Sequence, residues 1–217
     1  RPTGFPWALF YPRAVMSPPP RREKGFPFRA SCDILHIKRG GMLVVNLRLF
    51  VWDHDVSRQI PADVRPASDA DLEQTKLWQT LWTSGAAKQM PNKVALCRTD
   101  NGELLGLMSY ELDQKGLAVE VIYIESAGHS NANLLRISGQ EKKYVGIAKA
   151  LLAYAVQVSL NAGFDGVLYF RAKTDRLREY YMQEFHAVPV GRFDPYRLVI
   201  WEDAARELAA VYRREEP

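Results

Sequence analysis

Three strand patterns follow one another in the middle of this 217-residue chain, and they constrain its fold more than any other feature. Residues 93–99 and 104–112 are apolar runs joined by Asp100-Asn101-Gly102-Glu103, and an Asn-Gly pair between two such runs is among the stronger signals for a β-hairpin. Residues 117–126 form a third run, dense in Val and Ile, which is typical of a central strand. The chain is therefore expected to be organised around a sheet.

A short basic turn follows the third strand pattern and runs into an amphipathic helix pattern over residues 142–152. The start of a helix has unpaired backbone N–H groups and the positive end of the helix dipole, so it suits a phosphate. Gly146 and Ala148 carry almost no side chain, which lets an anion approach the backbone closely. Lys142 and Lys143 add positive charge just before the turn. We therefore predict an anion-binding helix start here.

The remaining patterns complete an alternation of strands and helices. Ser68, with Asp71 three residues later, predicts a capped helix that continues to about Gly85. The other patterns are strands at 42–56, 60–66, 166–170 and 196–201, and helices that begin at 147, 174 and 203. This order predicts an α/β fold of the mixed α+β kind, with a central, mostly antiparallel sheet flanked by helices.

The first 41 residues differ from the rest in composition and charge. They are rich in Pro and Arg and carry a net charge of +6, which leaves −2 for residues 42–217 out of the total of +4. We interpret residues 1–41 as a basic extension that is flexible or not native, with Met16 and Met42 as alternative starts, and residues 42–217 as a single domain. Because the basic charge lies in the extension, nucleic acid is disfavoured as a partner.

Composition disfavours membranes, metals and disulfides. No apolar run approaches the length of about 20 residues that a membrane-spanning helix needs, so we expect no membrane partner. The only cysteines are Cys32 and Cys97, and neither they nor the four histidines show the spacing of a metal site. We therefore expect no metal, reduced thiols and a cytoplasmic location.

Residues 60–212 resemble the GNAT superfamily of acyl-CoA-dependent N-acetyltransferases. In that family a Gln/Arg-x-x-Gly-x-Gly/Ala turn grips the pyrophosphate of coenzyme A, and residues 143–148 match it with Lys in the first position. A second family motif, Asn-x-x-Ala-x-x-x-Tyr, keeps its spacing in Thr174, Leu177 and Tyr181, although only the tyrosine is identical. More narrowly, residues 123–127, 143–146, 163–166 and 172–174 resemble a bacterial branch of the superfamily whose substrate is unsettled, from which residues 128–141 depart by an insertion.

The resemblance implies that acetyl-CoA is the co-substrate and that its acetyl group passes directly to a primary amine in a ternary complex. The acceptor would be a small molecule or a peptide, and the chain could form a homodimer. By the same resemblance, coenzyme-binding residues are Ile124, Ser126, Lys142, Lys143, Tyr144, Val145, Gly146, Ile147, Ala148 and Thr174. Backbone groups at the end of the third strand would pair with the pantetheine arm. Arg171, Lys173, Arg176 and Arg178 either meet the 3′-phosphate or form a solvated face.

Tyr181 matches the tyrosine that acts as general acid in the family, while an aromatic residue at its position can equally be part of the core. Glu125 is the first candidate for the general base, with Glu120, His129 and a water relay as alternatives. Strand alternation predicts that the two glutamates lie on opposite faces of the sheet. The three tryptophans at 78, 82 and 201 are interpreted as core residues.

Two other functions remain compatible with the sequence. The altered second motif and the insertion at 128–141 permit a non-catalytic module that binds acyl-CoA or a protein. A toxin-like acetyltransferase that acts on charged tRNA is the third hypothesis, and the negative balance of residues 42–217 argues against it.

Overall fold

A nine-stranded sheet runs through the part of the chain that the computed structural model describes, residues 47–213. Its strands, in chain order, are β1 Phe50–Asp53, β2 Arg58–Pro66, β3 Lys93–Arg98, β4 Leu104–Asp113, β5 Ala118–Ser126, β6 Tyr144–Val145, β7 Leu168–Arg171, β8 Val188–Pro189 and β9 Arg197–Ile200. The helices are α1 Asp69–Glu73, α2 Gly85–Gln89, α3 Ala132–Ser138, α4 Ile147–Asn161, α5 Asp175–Glu184 and α6 Glu202–Ala210. Short 3-10 turns lie at Gln74–Leu77 and Gly128–Ser130.

The strands are arranged in the order β6-β1-β2-β3-β4-β5-β7-β9-β8. Among these described strands, only β5 and β7 pair in parallel, and every other neighbouring pair is antiparallel. Helices pack on both faces, so the predicted class of a mixed α/β fold with a mostly antiparallel sheet is confirmed. The predicted extension at 1–41 lies outside the described residues.

The main core lies between the sheet and α4, whose apolar residues are buried along its whole length. Gly106 on β4 lets the start of this helix approach the sheet closely. A Cβ atom at Gly106 would lie 2.7 Å from Ile147 Cγ2 and 2.9 Å from the carbonyl oxygen of Glu125. A glycine is therefore needed at this position, and the close packing fixes the start of α4 beside the end of β5.

A β-bulge in β5 changes which side chains share a face. Ser109 pairs with Tyr123, but the next residue of β4, Tyr110, pairs with Val121, so Ile122 is an extra residue in β5. Residues before and after the bulge therefore alternate out of step. The prediction that Glu120 and Glu125 lie on opposite faces is wrong, because both point to the face opposite α4.

The single helix predicted from 68 to about 85 is also wrong beyond its first turn. The capping box of Ser68 and Asp71 is present, but α1 ends at Glu73 and an irregular segment follows the 3-10 turn. Thr75 Oγ1 donates to the Leu72 carbonyl and accepts a hydrogen bond from the Trp82 N–H at 3.1 Å. Since the Trp82 side chain is fully buried, its tertiary packing outweighs the local helical pattern.

Asp71 fixes the start of α1, and its substitution should destabilise the fold. Two hydrogen bonds from Arg65, and then those from Ser68, lower the pKa of Asp71 to about 2. Because this pKa lies below its ordinary value, the stabilisation is complete above about pH 4 and is lost as the pH falls toward 2. We expect Asp71→Asn to lower the free energy of unfolding by ~2 kcal/mol at pH 7, measured by urea denaturation.

The matched control is Asp69→Asn, an exposed residue in the same helical turn, which should change stability by less than about 0.5 kcal/mol. The difference between the Asp71 variant and the wild type should shrink below pH 4. A difference that stays constant down to pH 2 would contradict the role of the ionised carboxylate.

Candidate functional site

The end of β5 has an open backbone edge. β5 pairs with β7 only from Val119 to Val121, and beyond Val121 no described residue continues the ladder on that side. Ala127 donates its N–H to the Leu105 carbonyl on β4, so the backbone groups of Ser126 and Ile124 face away from β4, toward the open side. This edge can pair with an extended ligand that carries amide groups.

The basic turn ends directly at an uncapped helix. Gly146 is the N-cap residue of α4 and has a φ of +94°, a conformation that favours glycine, and no side chain caps the helix. The first helical hydrogen bond joins the Ala150 N–H to the Gly146 carbonyl, so the N–H groups before Ala150 have no helical partner. The space beside Gly146 is open. An anion can therefore reach these N–H groups.

The two lysines of the turn have different surroundings. Lys143 forms an ion pair with Glu103 at 3.0 Å, and its ammonium group lies 4.9 Å from the centre of the Tyr144 ring. Lys142 is exposed and, within residues 47–213, forms no ion pair. Of the two predicted cationic groups, Lys142 is thus available to a ligand, whereas Lys143 already has an anionic partner.

Tyr144 ties the turn to the hairpin between β3 and β4. Its buried hydroxyl donates to Glu103 at 2.6 Å and accepts a hydrogen bond from Arg98 at 2.8 Å. Burial alone would raise the pKa of Glu103, but the hydrogen bonds from Tyr144 and Lys143 outweigh it and lower this pKa. Glu103 is therefore an ionised centre of this network, a role that its place after an Asn-Gly turn does not reveal. Val145, in turn, pairs with Trp52 on β1.

His129 joins the same network from the inserted segment. Its Nδ1 atom lies 2.8 Å from Ser130 Oγ, which accepts a hydrogen bond from the Tyr144 N–H at 2.9 Å. Its Nε2 atom lies 3.6 Å from Glu103. Burial lowers the pKa of His129, so its ring is neutral at neutral pH. Both ring nitrogens thus face groups of the protein.

Tyr181 lies beside the place where β5 and β7 separate. Its ring packs against that of Phe170, with centroids 4.8 Å apart, and Phe170 pairs with Val121, the last residue of β5 in the parallel ladder. Burial, and then the neighbouring Tyr180, raise the pKa of Tyr181 to about 12. The phenol is therefore protonated throughout the neutral range. Tyr180 is more exposed, in accord with its position 100° further round the helix.

Glu125 is 4% exposed and lies on the opposite face of the sheet from α4. Its carboxylate accepts hydrogen bonds from the N–H groups of Gln79 and Thr80 and from the indole N–H of Trp82. Burial raises the pKa of Glu125. The alternative base Glu120 accepts a hydrogen bond from the Tyr169 hydroxyl at 2.9 Å.

Thr174, the departure from the family's asparagine, accepts a hydrogen bond from the Leu177 N–H and is the N-cap of α5.

Of the tryptophans, Trp82 is a core residue as predicted, but Trp201 is 37% exposed, so the core interpretation is wrong there. Arg171 and Arg178 both stack on the Tyr196 ring. These contacts give the two arginines a structural role.

The described part of the chain contains no group of three or more His, Cys, Asp or Glu residues that could hold a metal ion. Nor does any helix within residues 47–213 have the length and apolar character that crossing a membrane requires.

Comparisons with known proteins find similarity only at the level of structure. No family model matches the chain. No curated protein sequence matches it significantly. Similar solved structures include AtaTR bound with AcCoA (TM-score 0.43, 15% identity, 68% of this chain and 97% of that chain). Others are the KacTA–DNA complex (0.43, 16%, 69% and 99%) and Ard1 from Thermoplasma volcanium (0.40, 11%, 64% and 94%).

The ion pair between Glu103 and Lys143 generates a prediction about anion binding. Glu103→Gln removes the charge that neutralises Lys143 and leaves a side chain of the same size. We expect the variant to bind inorganic pyrophosphate about three to ten times more tightly than the wild type at low salt, with the gain shrinking at high salt. Isothermal titration calorimetry measures the affinity for pyrophosphate at low salt and at high salt.

Asp100→Asn serves as the control, because Asp100 lies on the same hairpin and pairs with Arg98 rather than with the turn. It should leave the affinity for pyrophosphate nearly unchanged. Equal or weaker binding by the Glu103 variant would mean that Lys143 does not face the anion site.

Proposed function

We propose that this chain is a GNAT-type N-acetyltransferase that moves the acetyl group of acetyl-CoA directly to a primary amine. The observation that carries the proposal is the juxtaposition of two features that one coenzyme would use. The uncapped start of α4 follows Gly146, and the open edge of β5 lies where that strand separates from β7. The first suits a pyrophosphate and the second suits the amide groups of a pantetheine arm.

The chemistry needs a grip on the coenzyme, polarisation of the thioester carbonyl and an acid for the departing thiolate. In our proposal the backbone N–H groups from Gly146 to Lys149 bind the pyrophosphate, and Lys142 adds charge. A backbone N–H at Ile124 or Ser126 polarises the carbonyl group. The amine attacks the carbonyl carbon, the carbon–sulfur bond breaks, and the Tyr181 hydroxyl donates its proton to the sulfur.

The acceptor is proposed only as a primary amine on a small molecule or a peptide. The proton that the attacking amine loses passes to water or to a protein group. Glu125 remains the predicted general base. Charged tRNA belongs among the acceptors to be tested, since it also carries a primary amine.

Binding of acetyl-CoA is the first test, and Gly146 is the position that tests the turn. Gly146→Asp places a carboxylate against the pyrophosphate, so we expect acetyl-CoA affinity to fall at least 100-fold by calorimetry. Gly163→Asp is a matched control, because Gly163 also has a positive φ and open space but lies beyond the opposite end of α4. It should bind normally. Absence of wild-type binding at tens of micromolar would refute the proposed function.

Tyr181 is tested by Tyr181→Phe, which removes the hydroxyl and keeps the ring contact with Phe170. We expect kcat to fall by about 10²-fold with unchanged coenzyme affinity, because only the step that protonates the thiolate is affected. Since the pKa of Tyr181 is raised to about 12, the wild type should show no alkaline loss of rate from this group below about pH 10.

Tyr180→Phe, on the neighbouring and more exposed ring, is the control and should keep the wild-type rate. Thiol release from acetyl-CoA provides the assay, with a panel of small amines, peptides with free N-termini and charged tRNA. If the coenzyme binds but no amine yields thiol, the chain is a binding module instead. An unchanged rate for Tyr181→Phe would remove Tyr181 from the mechanism.

A further inference from the structure

An irregular segment of five residues, Trp78–Trp82, donates three hydrogen bonds to one buried carboxylate of the central strand. Glu125 Oε1 accepts the backbone N–H groups of Gln79 at 2.7 Å and Thr80 at 3.3 Å. Its Oε2 accepts the indole N–H of Trp82 at 3.1 Å. Trp78 closes the 3-10 turn by donating its N–H to the Thr75 carbonyl, but the N–H groups of Gln79 and Thr80 have no partner in a helix or strand. The Glu125 carboxylate supplies the partner that these two N–H groups would otherwise lack.

Additional contacts tie the same segment to its neighbours. Thr80 Oγ1 donates to the Tyr123 hydroxyl at 2.9 Å, and the Trp82 and Tyr123 rings meet edge to face. On the other side, the Gln79 side-chain oxygen accepts hydrogen bonds from Asn131 and Asn133 at the start of the inserted helix α3. The 78–82 segment therefore connects the end of β5 with the insertion that distinguishes this chain from its family.

This segment also borders a cavity at the end of β5. The cavity has a volume of about 360 Å³ and is lined by Trp78, Glu103 and residues 127–129. Ala127 directly follows Ser126, the last residue of the open edge. Because the segment packs on the face opposite α4, it lies across the sheet from the uncapped helix start.

We propose that Glu125 is a positioning residue that holds the 78–82 segment in place as the wall of the cleft that receives the acceptor amine. This rests on the proposed acetyl transfer. A carboxylate that is 4% exposed and accepts three N–H bonds is well placed to order a loop. Taking a proton from an incoming amine would instead require a carboxylate oxygen directed at that amine.

Substitution by glutamine separates the two roles, because it preserves the size of the side chain. A carboxamide has only one oxygen, so in Glu125→Gln its NH₂ group must face either the Trp82 indole N–H or the two backbone N–H groups. The NH₂ group of the glutamine would then face another N–H donor in a buried site, and neither would have an acceptor. Trp82→Phe removes the indole donor, and in the double variant the amide oxygen can accept from both backbone groups.

Amide hydrogen exchange at Gln79 and Thr80 reports the attachment without needing a substrate. We expect Glu125→Gln to lose at least about tenfold protection at these two amides, the size of one charge-assisted hydrogen bond. The Glu125→Gln, Trp82→Phe double variant should recover the protection of Trp82→Phe alone. Glu120→Gln is the control on the same face of β5, and it should leave both amides unchanged.

Kinetics with the best amine of the panel provide the second readout. Loss of positioning should raise the KM for the amine and leave acetyl-CoA affinity and the acidic limb of the pH–rate profile unchanged. The double variant should recover part of the lost KM.

Three results would overturn the proposal: full protection in Glu125→Gln, no recovery in the double variant, or loss of the acidic limb, which would identify Glu125 as the base. If Glu125→Gln does not fold, Glu125→Asp, which withdraws the carboxylate by one methylene, should show the same loss of protection. Failure of acetyl-CoA to bind would refute the proposed function and leave the exchange result to decide on the attachment.

Discussion

The extra residue Ile122 in β5 is the constraint on which the candidate site depends. A bulge bends a strand and shifts its alternation by one residue. Beyond it, the backbone groups of Ile124 and Ser126 face the side where β7 has ended, while the side chains of Tyr123 and Glu125 turn to the face opposite α4. One strand end thus serves two purposes: its backbone offers an edge to a ligand, and its side chains anchor a loop.

Buried hydrogen bonds fix the turn before α4, and part of the positive charge of the turn is neutralised. Tyr144 is fixed by Glu103, Arg98 and Ser130, and Glu103 also neutralises Lys143. The proposed anion site in this arrangement depends on backbone N–H groups at the start of α4 that have no helical partner, next to the open space beside Gly146. Such preorganised dipoles need no rearrangement when the ligand arrives, and salt screens them less than it screens exposed side chains.

Local sequence signals predict the structure correctly where that structure depends on a few adjacent residues. The Asn-Gly hairpin, the capping box at Ser68 and the glycine before α4 each depend on a few adjacent residues, and each is present. The predictions that are wrong or missing concern features that residues distant in the sequence determine. The bulge that places Glu120 and Glu125 on one face depends on the pairing of β4 with β5. The break in the helix after Glu73 depends on the burial of Trp82, and Glu103 acquires its network only when the turn folds against its hairpin. These contacts have no periodic signature.

The two sides of the proposed active-site cleft differ in how extensively they are packed. The side of the proposed coenzyme site is part of the main core, where α4 packs against the sheet over its whole length. The opposite side has a smaller core and an irregular segment, beside which Leu77 is 88% exposed. If Glu125 carries much of the attachment of that segment, the other residues of the segment can change without disturbing the coenzyme side, because the segment packs on the face of the sheet opposite α4. In the proposed acetyl transfer, such a separation would let one grip on the coenzyme serve different acceptors, because the groups proposed to bind the coenzyme and the segment proposed to face the amine belong to different cores.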